Sequence, residues 1–389
     1  MGLLSLLALS YLGSVLDPQR HLHDYPLVVV NADRGGYGGR VADAVVAGLP
    51  TDQVRVRLVE AAVADDLMAA GKVYGAILIP PDFTARLSAL DGLAAGDGTP
   101  PQLDIQTNPR AGTTAVTLTV QLVTPILDRI NRDLGTESIG RARANGVPLS
   151  DAALAGLTEP IRVQVGQFQP LPAGTANGIS AFYYTLLVVF AGFTASSLIS
   201  GGVDAAVKDG GSPSKWRVLL FKWALAAVVA LTMAGVYQLI ARWLGMPITH
   251  PLILYCFSTF ASLAIGMTAL ANLTVVSTLA TALRAPTLTN LGMPINMLLF
   301  VALGLPSSGG IIPIEAAPRP YGILAAFEPM HQVFLGIRSI LYFDARADAG
   351  LTRAVLMCTA GTAFALAIGI LTTLGYDRLH NHHRPQPNS

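Results

Sequence analysis

The chain has 389 residues and a formal net charge of +1, with 52% hydrophobic residues and only 13% Asp, Glu, Lys and Arg. An ordinary soluble domain carries roughly 25% charged residues, so this composition excludes a wholly soluble chain and requires a lipid-facing surface. Without a basic field or runs of Lys and Arg, it has no electrostatic footprint for nucleic acid. We therefore predict a membrane protein whose surroundings are the lipid bilayer and that does not bind nucleic acid.

The chain begins with an apolar segment, residues 2–16, that is slightly short of the ~20 residues needed to cross a bilayer. It is similar to the hydrophobic region of a signal peptide, but no basic residue precedes Arg20. Secretory signals normally begin with a positive charge. We predict that residues 1–16 form the first transmembrane helix.

Residues 17–176 have the pattern of an α/β domain. Short apolar runs predict strands at 27–30, 54–59 and 73–79, and the stretches between them predict helices at 39–49 and 61–70. This alternation indicates βαβ units with a buried, partly parallel sheet. Further along we predict a strand at 102–106, a long helix at 113–144 interrupted at Pro125, and a last strand at 161–168.

A glycine-rich turn at residues 33–39 follows the first strand and opens a helix, where a phosphate-binding loop would lie. Its glycines match neither the dinucleotide-binding spacing nor a P-loop. The turn is therefore interpreted as structural, with phosphate binding as the less favoured alternative.

The remaining apolar residues predict five further spans, at 179–200, 218–240, 252–283, 287–305 and 354–374. The fold class is thus an α-helical multi-pass membrane protein with about six spanning helices, and the α/β domain is inserted between helices 1 and 2. A five-helix membrane domain covers 177–376, and a tail covers 377–389. Basic residues in the loop 201–217 and in the tail favour cytoplasmic termini at the plasma membrane, with 17–176 outside.

No nucleophile elbow, zinc-binding pair or Walker motif occurs in the chain. We predict that the chain is not an enzyme and has no catalytic residue, cofactor or metal. His380, His382 and His383 could chelate a metal, although a solvated tail is the more ordinary reading. Asn272, Asn290 and Asn296 either line a path through the spans or join helix to helix.

Two loops carry the candidate functional residues. The loop before the third span contains Asp204, Lys208 and Asp209, which we predict contact a cytoplasmic partner. The loop after the fifth span contains Pro313 and Glu315, in irregular backbone that must lie at the exit surface or be covered by protein. The alternative is that they are solvated loop charges and turn residues.

The stretch 308–318, with its Ser-Gly-Gly-x-x-Pro-x-Glu pattern, precedes an apolar helix containing Arg338. It resembles the last external loop of type-2 ABC exporter permeases. The segments 11–35 and 74–83 are similar to the branch of that family containing phage-infection and nitrosoguanidine-resistance proteins. The resemblance covers nearly the whole chain.

The resemblance implies an export permease for an apolar or amphiphilic compound. Two copies, or the chain and a related half-permease, would pair, and a separate ATPase subunit would dock on the cytoplasmic loop. The resemblance also implies that Pro313 and Glu315 belong to an external gate. The alternative function is a non-transporting surface receptor or envelope scaffold that binds its partner through the α/β domain.

Overall fold

The computed structural model describes residues 2–92, 99–146, 149–210 and 214–381. The chain divides into two compact units. The α/β unit consists of Asp17–Leu171 and Ile311–Ala317, and the membrane unit consists of Met1–Leu16, Pro172–Gly310 and Pro318–Ser389. The short segment Ile311–Ala317, assigned to the membrane domain from sequence, therefore belongs to the α/β unit.

Helices and strands of the described residues are numbered here in chain order. The helices are α1 Gly2–Val15, α2 Gly36–Gly48, α3 Ala61–Ala69, α4 Phe83–Gly92, α5 Thr113–Ala144, α6 Asp151–Thr158, α7 Ile179–Gly210, α8 Lys215–Trp243, α9 Pro251–Ala282, α10 Gly292–Met297, α11 Gly304–Ser307, α12 Arg319–Ala325, α13 Pro329–Tyr342 and α14 Leu351–Asn381. The strands are β1 Tyr25–Asn31, β2 Val54–Leu58, β3 Gly75–Ile79, β4 Gln102–Thr107 and β5 Arg162–Gln167.

The sheet of the α/β unit is mixed, in the order β2-β1-β3-β4-β5. Strand β1 is parallel to β2 and β3, β4 is parallel to β5, and β3 and β4 are antiparallel. The predicted partly parallel sheet is therefore present. Val28 and Val30 of β1 pack with Met68 of α3 on one face, and the alternate residues Leu27 and Val29 are buried on the other, as expected for a sheet covered on both sides.

The predicted interruption of the long helix at Pro125 is wrong. Helix α5 continues from Thr113 to Ala144 with Pro125 inside it. Proline removes a single backbone donor. Because Val123 and Leu127, on either side, are both buried, packing holds the helix together across that defect.

Five helical segments of the described residues are long and apolar enough to cross a bilayer: Ala176–Val207, Lys215–Trp243, Pro251–Ala282, Pro286–Ser307 and Leu351–Leu374. They match the five spans predicted after the α/β domain. Helix α1 has 14 residues, about 21 Å at 1.5 Å per residue, and is not among the five. The structure therefore supports a multi-pass membrane protein with five candidate spans, rather than six equivalent ones.

Helix α9 is the central helix of the membrane unit. Of its most apolar window, 56% is buried, against 17–33% in the other four candidate spans. It packs against α7, α8, α10, α13 and α14. Helix α9 is therefore the helix against which most of the membrane unit packs.

The predicted span at 287–305 is a broken segment and not a single helix. A 3-10 turn at Pro286–Leu291 leads to α10, and a π-helical turn at Leu298–Ala302 leads to α11. Irregular backbone at membrane depth needs protein cover. Phe300 and Ala302 are buried accordingly.

Candidate functional site

The membrane unit contains a short helix, α13, that is buried on nearly every side. Its 14 residues span about 21 Å, less than the ~30 Å hydrocarbon core, and its burial leaves it little surface to face lipid. Glu328 and Pro329 determine where it begins, because an acidic N-cap and a proline in the first turn are a helix-start signal. Three residues at the start of this helix form a buried polar cluster, Glu328, His331 and Gln332, and the exposed Arg353 of α14 bonds to its edge.

Glu328 is fully buried, at 0% exposure. Its two carboxylate oxygens accept hydrogen bonds from the backbone N–H of Met330 and of His331, both at 2.9 Å. The Ser307 hydroxyl lies beside the same carboxylate. Burial raises the pKa of Glu328 to about 7, against the opposing effect of these three donors.

The rest of the cluster ties neighbouring elements together. His331 Nδ1 donates to the carbonyl of Ser308 at 2.9 Å, and burial lowers the pKa of His331 to about 4, so the ring is neutral. The Gln332 amide donates to the carbonyl of Ala325 at 2.7 Å and accepts from Arg353 Nε at 3.0 Å. The cluster thus links α11, α12, α13 and the start of α14.

Sequence reasoning missed this cluster as a site. The sequence indicated an apolar helix containing Arg338 after the stretch 308–318, but it did not single out Glu328 or its neighbours. The available signal was an acidic residue immediately before proline and an apolar helix, which predicts an N-cap. Nothing in the sequence marked that cap as buried.

Asn272 and Asn296 join helices. Asn296 is completely buried, donates to the carbonyl of Ala269 at 3.0 Å and accepts from Asn272 Nδ2 at 3.0 Å. These bonds attach the broken segment to α9. The helix-packing interpretation of these two residues is therefore favoured over a path, while Asn290 is exposed.

The residues proposed to contact a cytoplasmic partner lie at the C-terminal end of α7 and not in a loop. Asp204 Oδ1 accepts from Lys222 Nζ of α8 at 2.8 Å, and Lys222 also donates to Ser200 Oγ at 3.1 Å. Lys208 and Asp209 follow on the same helix, and their side chains lie outside the described part of the structure. Asp204 thus has a structural partner within the chain.

Pro313 and Glu315, the predicted gate residues, lie in the segment Ile311–Ala317 of the α/β unit. Glu315 Oε2 accepts from the Tyr74 hydroxyl at 2.7 Å, and the carbonyl of Glu315 accepts from the N–H of His23 at 2.8 Å. The carbonyl of Ile311 accepts from Thr114 Oγ1 at 2.7 Å. The segment is therefore fastened at both ends to the α/β unit.

Tyr25 extends this attachment. Its ring stacks on Tyr74 with centroids 4.7 Å apart, and its hydroxyl donates to the carbonyl of Ala115 at 2.7 Å. Burial raises the pKa of Tyr25, the bond with Thr119 opposes the rise, and the nearby Glu315 carboxylate adds to it. Glu315 thus faces a buried tyrosine pair.

We expect Tyr74→Phe to lower the free energy of unfolding of the α/β unit by about 1–2 kcal/mol, because it removes a hydrogen bond to a carboxylate. Pulse proteolysis of the full chain in detergent would measure this. Glu315→Gln retains an oxygen that can accept from the Tyr74 hydroxyl, so its free energy of unfolding should fall by less. Equal free energies of unfolding for wild type and Tyr74→Phe would show that the hydrogen bond between Tyr74 and Glu315 does not hold the segment Ile311–Ala317 in the α/β unit.

In the glycine-rich turn, backbone amides bond to the side chain of Asp33, which belongs to the same turn. Asp33 Oδ2 accepts from Gly35 N at 3.1 Å, from Gly38 N at 3.0 Å and from Thr84 Oγ1 at 2.6 Å. A Cβ on Gly35 would lie 2.3 Å from Thr84 Cβ. The amides that would hold a phosphate already bond to Asp33, so the structural interpretation is favoured.

Among the described residues, no group of three or more His, Cys, Asp and Glu is placed to hold a metal ion. His380 lies in α14, and His382 and His383 lie beyond the last described residue. The tail from residue 382 onward is likewise outside the described part of the chain.

Comparison with curated proteins and with solved structures gave no match. A family model described as "Protein of unknown function (DUF3533)" matches residues 1–360. The matched range includes the α/β unit, the membrane unit as far as residue 360, and the buried polar cluster. The chain therefore belongs to the DUF3533 family.

Proposed function

We propose that this chain is the membrane-spanning subunit of a type-2 ABC exporter that moves an apolar or amphiphilic compound across the plasma membrane. The buried polar cluster of Glu328, His331 and Gln332 supports this proposal most directly. Buried ionisable groups are costly in a membrane domain and are usually associated with function. A domain that only anchors an external receptor has no need of them.

In this proposal both termini are cytoplasmic, residues 17–176 are outside, and α1 is the first crossing. Two copies, or this chain and a related half-permease, form the translocation unit. A separate ATPase subunit docks at the end of α7, where Lys208 and Asp209 lie. The Asp204–Lys222 pair braces that end of α7 against α8.

The alternative is a receptor or scaffold that binds through the α/β unit. It is favoured by β5, an edge strand in which Val165 is 51% exposed. An exposed edge can pair with an extended segment of another protein.

The proposal is tested by affinity purification of the full chain in mild detergent, with mass spectrometry of the bound proteins. We expect wild type to recover an ATPase subunit. Lys208→Ala combined with Asp209→Ala should reduce that recovery at least about tenfold, equivalent to ~1.4 kcal/mol of binding free energy.

The matched control is Glu159→Ala combined with Arg162→Ala, which removes the same charges from exposed positions of the α/β unit. It should leave recovery unchanged. Recovery of the chain alone, or with only envelope proteins, would refute the driven permease and favour the receptor.

A further inference from the structure

Glu328 is a buried acid whose recorded partners do not include a cation. Its carboxylate accepts from two backbone amides, and the Ser307 hydroxyl lies beside it. The ion pairs found among the described residues join other side chains. A carboxylate removed from water without a counter-ion is expensive to keep ionised.

The site is built closely around this side chain. A Cβ added to Gly304 would lie 2.8 Å from Glu328 Oε1 and 3.2 Å from Met330 Cβ. Only glycine at 304 therefore lets α11 approach the carboxyl this closely. Such packing leaves the carboxyl little freedom to move to water when its charge changes.

The charged and titratable groups near Glu328 come from few elements. Helix α13 itself contributes His331, which is neutral, and Arg338, whose guanidinium lies over the rings of Phe334 and Phe343. Helix α14 contributes Arg353, which bonds to Gln332 and to the carbonyl of Ala326. Helix α12 contributes Arg319, which is exposed.

The other helices packed on α13 add little charge. Helices α9 and α11 contain no Asp, Glu, Lys, Arg or His, and Asp204, Lys208 and Asp209 of α7 are at the end opposite to Ser180, which contacts Tyr342 of α13. The charge state of Glu328 is therefore determined by its burial and its own hydrogen bonds rather than by charges on these helices.

Gaining a proton would change what the carboxyl can do for α13. The ionised form accepts from Met330 N–H and His331 N–H, one on each oxygen. In the neutral form one oxygen becomes a hydroxyl, which is a weaker acceptor and must itself find an acceptor. The first turn of α13 would then exchange a charged cap for a weaker neutral one, but the larger cost of a buried negative charge would be removed.

We propose that Glu328 is a proton-binding site of the membrane unit and that the bound proton holds the first turn of α13 closed around the carboxyl. This site makes the buried polar cluster responsive to proton concentration, whether or not the chain transports a compound. The proposal stands apart from the proposed function, because its test measures titration and helix protection and needs no transport.

The direction of the pH dependence follows from linkage. The pKa of Glu328 in the folded chain is about 7, above the ~4.3 of a free glutamate. The folded state therefore binds the proton more tightly than the unfolded state. The stability that this proton contributes is fully present below the unfolded pKa and is lost as pH rises through the folded value.

The experiment uses the full chain in detergent between pH 5 and 9. Infrared difference spectra should contain a protonated-carboxyl band that disappears with a midpoint near 7 and is absent from Glu328→Gln. Glu315→Gln, which alters a carboxyl of the α/β unit, should retain the band.

Hydrogen–deuterium exchange measures the consequence for α13. After correction for intrinsic exchange rates, protection at residues 330–331 should fall several-fold as the pH rises through the midpoint, because the ionised carboxyl is more stable in water than in the closed site. Helix α6 is the internal control, because its cap is the Ser150 hydroxyl, which accepts from Ala153 N at 3.1 Å and does not titrate in this range. Its protection should not show the same step.

If Glu328→Gln does not fold, hydrogen–deuterium exchange of the wild-type chain still tests the proposal. The expected result is a step in protection at residues 330–331 that α6 lacks. Protection that stays flat across the range, or a carboxyl band that persists in Glu328→Gln, would overturn the proposal.

Discussion

Gly192→Ala is expected to lower the free energy of unfolding of the membrane unit by about 2–3 kcal/mol, the upper part of the usual range for overpacking. A Cβ at this position of α7 would lie 2.4 Å from the carbonyl oxygen of Ser262 and 3.1 Å from the backbone N of Gly266. Both neighbours are backbone atoms of α9, so no side-chain rotation can make room. The two helices must separate.

The matched control is Gly201→Ala on the same helix. A Cβ there meets nothing within 4 Å, and alanine favours a helix over glycine by up to about 1 kcal/mol. Thermal unfolding of the purified full chain, followed by loss of the folded peak in size-exclusion chromatography, would compare the two variants. Equal midpoints for Gly192→Ala and Gly201→Ala would contradict the close approach of α7 and α9.

The second large effect is expected from Asp33→Ala in the α/β unit. The carboxylate accepts four hydrogen bonds: Gly35 N, Gly38 N and Thr84 Oγ1 on one oxygen, and Thr84 N at 3.2 Å on the other. Removing it leaves these donors without their acceptor at the start of α2. Loss of a cap and its linked bonds typically costs about 2–4 kcal/mol.

Pulse proteolysis of the α/β unit within the full chain measures this loss. Asp43→Ala is the control, because Asp43 lies on the exposed side of α2 and should change stability by less than about 0.5 kcal/mol. Asp33→Asn keeps one acceptor oxygen, so its loss of stability should lie between those of Asp33→Ala and Asp43→Ala. If Asp33→Ala and Asp43→Ala resist the protease equally, Asp33 does not hold the turn.

Local pattern predicted much of the α/β unit, because its strands are short buried runs. The run at 27–30 became part of β1 and the run at 102–106 became β4. The antiparallel pairing of β3 with β4 was not specified by those runs. Strand direction depends on how the chain returns to the sheet, which the composition of a strand does not encode.

The membrane spans were predictable where a helix is continuous and apolar, as in α8. The segment 286–307 was not, because its breaks depend on tertiary contacts. Asn296 bonds to the carbonyl of Ala269 in α9, and such a partner is invisible in a hydropathy profile. The same reason hid the burial of Glu328.

The segment 311–317 illustrates a different limit. Glu315 and Tyr74 are 241 residues apart in sequence, so no local pattern relates them. A glutamate in an irregular stretch after a span was a reasonable gate residue on sequence grounds. Its bond to Tyr74 gives it a fastening role in the α/β unit, and its part in any gate remains a prediction.

The α/β unit is assembled from two parts of the chain, Asp17–Leu171 and Ile311–Ala317, and this has a consequence for biosynthesis. A ribosome adds about 5–20 residues per second, so the roughly 140 intervening residues take on the order of 7–30 s to make. During that delay the Tyr74 hydroxyl lacks its carboxylate partner, and the surface that receives Ile311–Ala317 is open. A nascent chain is therefore most exposed to proteases and misassembly in this interval, and ribosome pausing between residues 171 and 311 would prolong it.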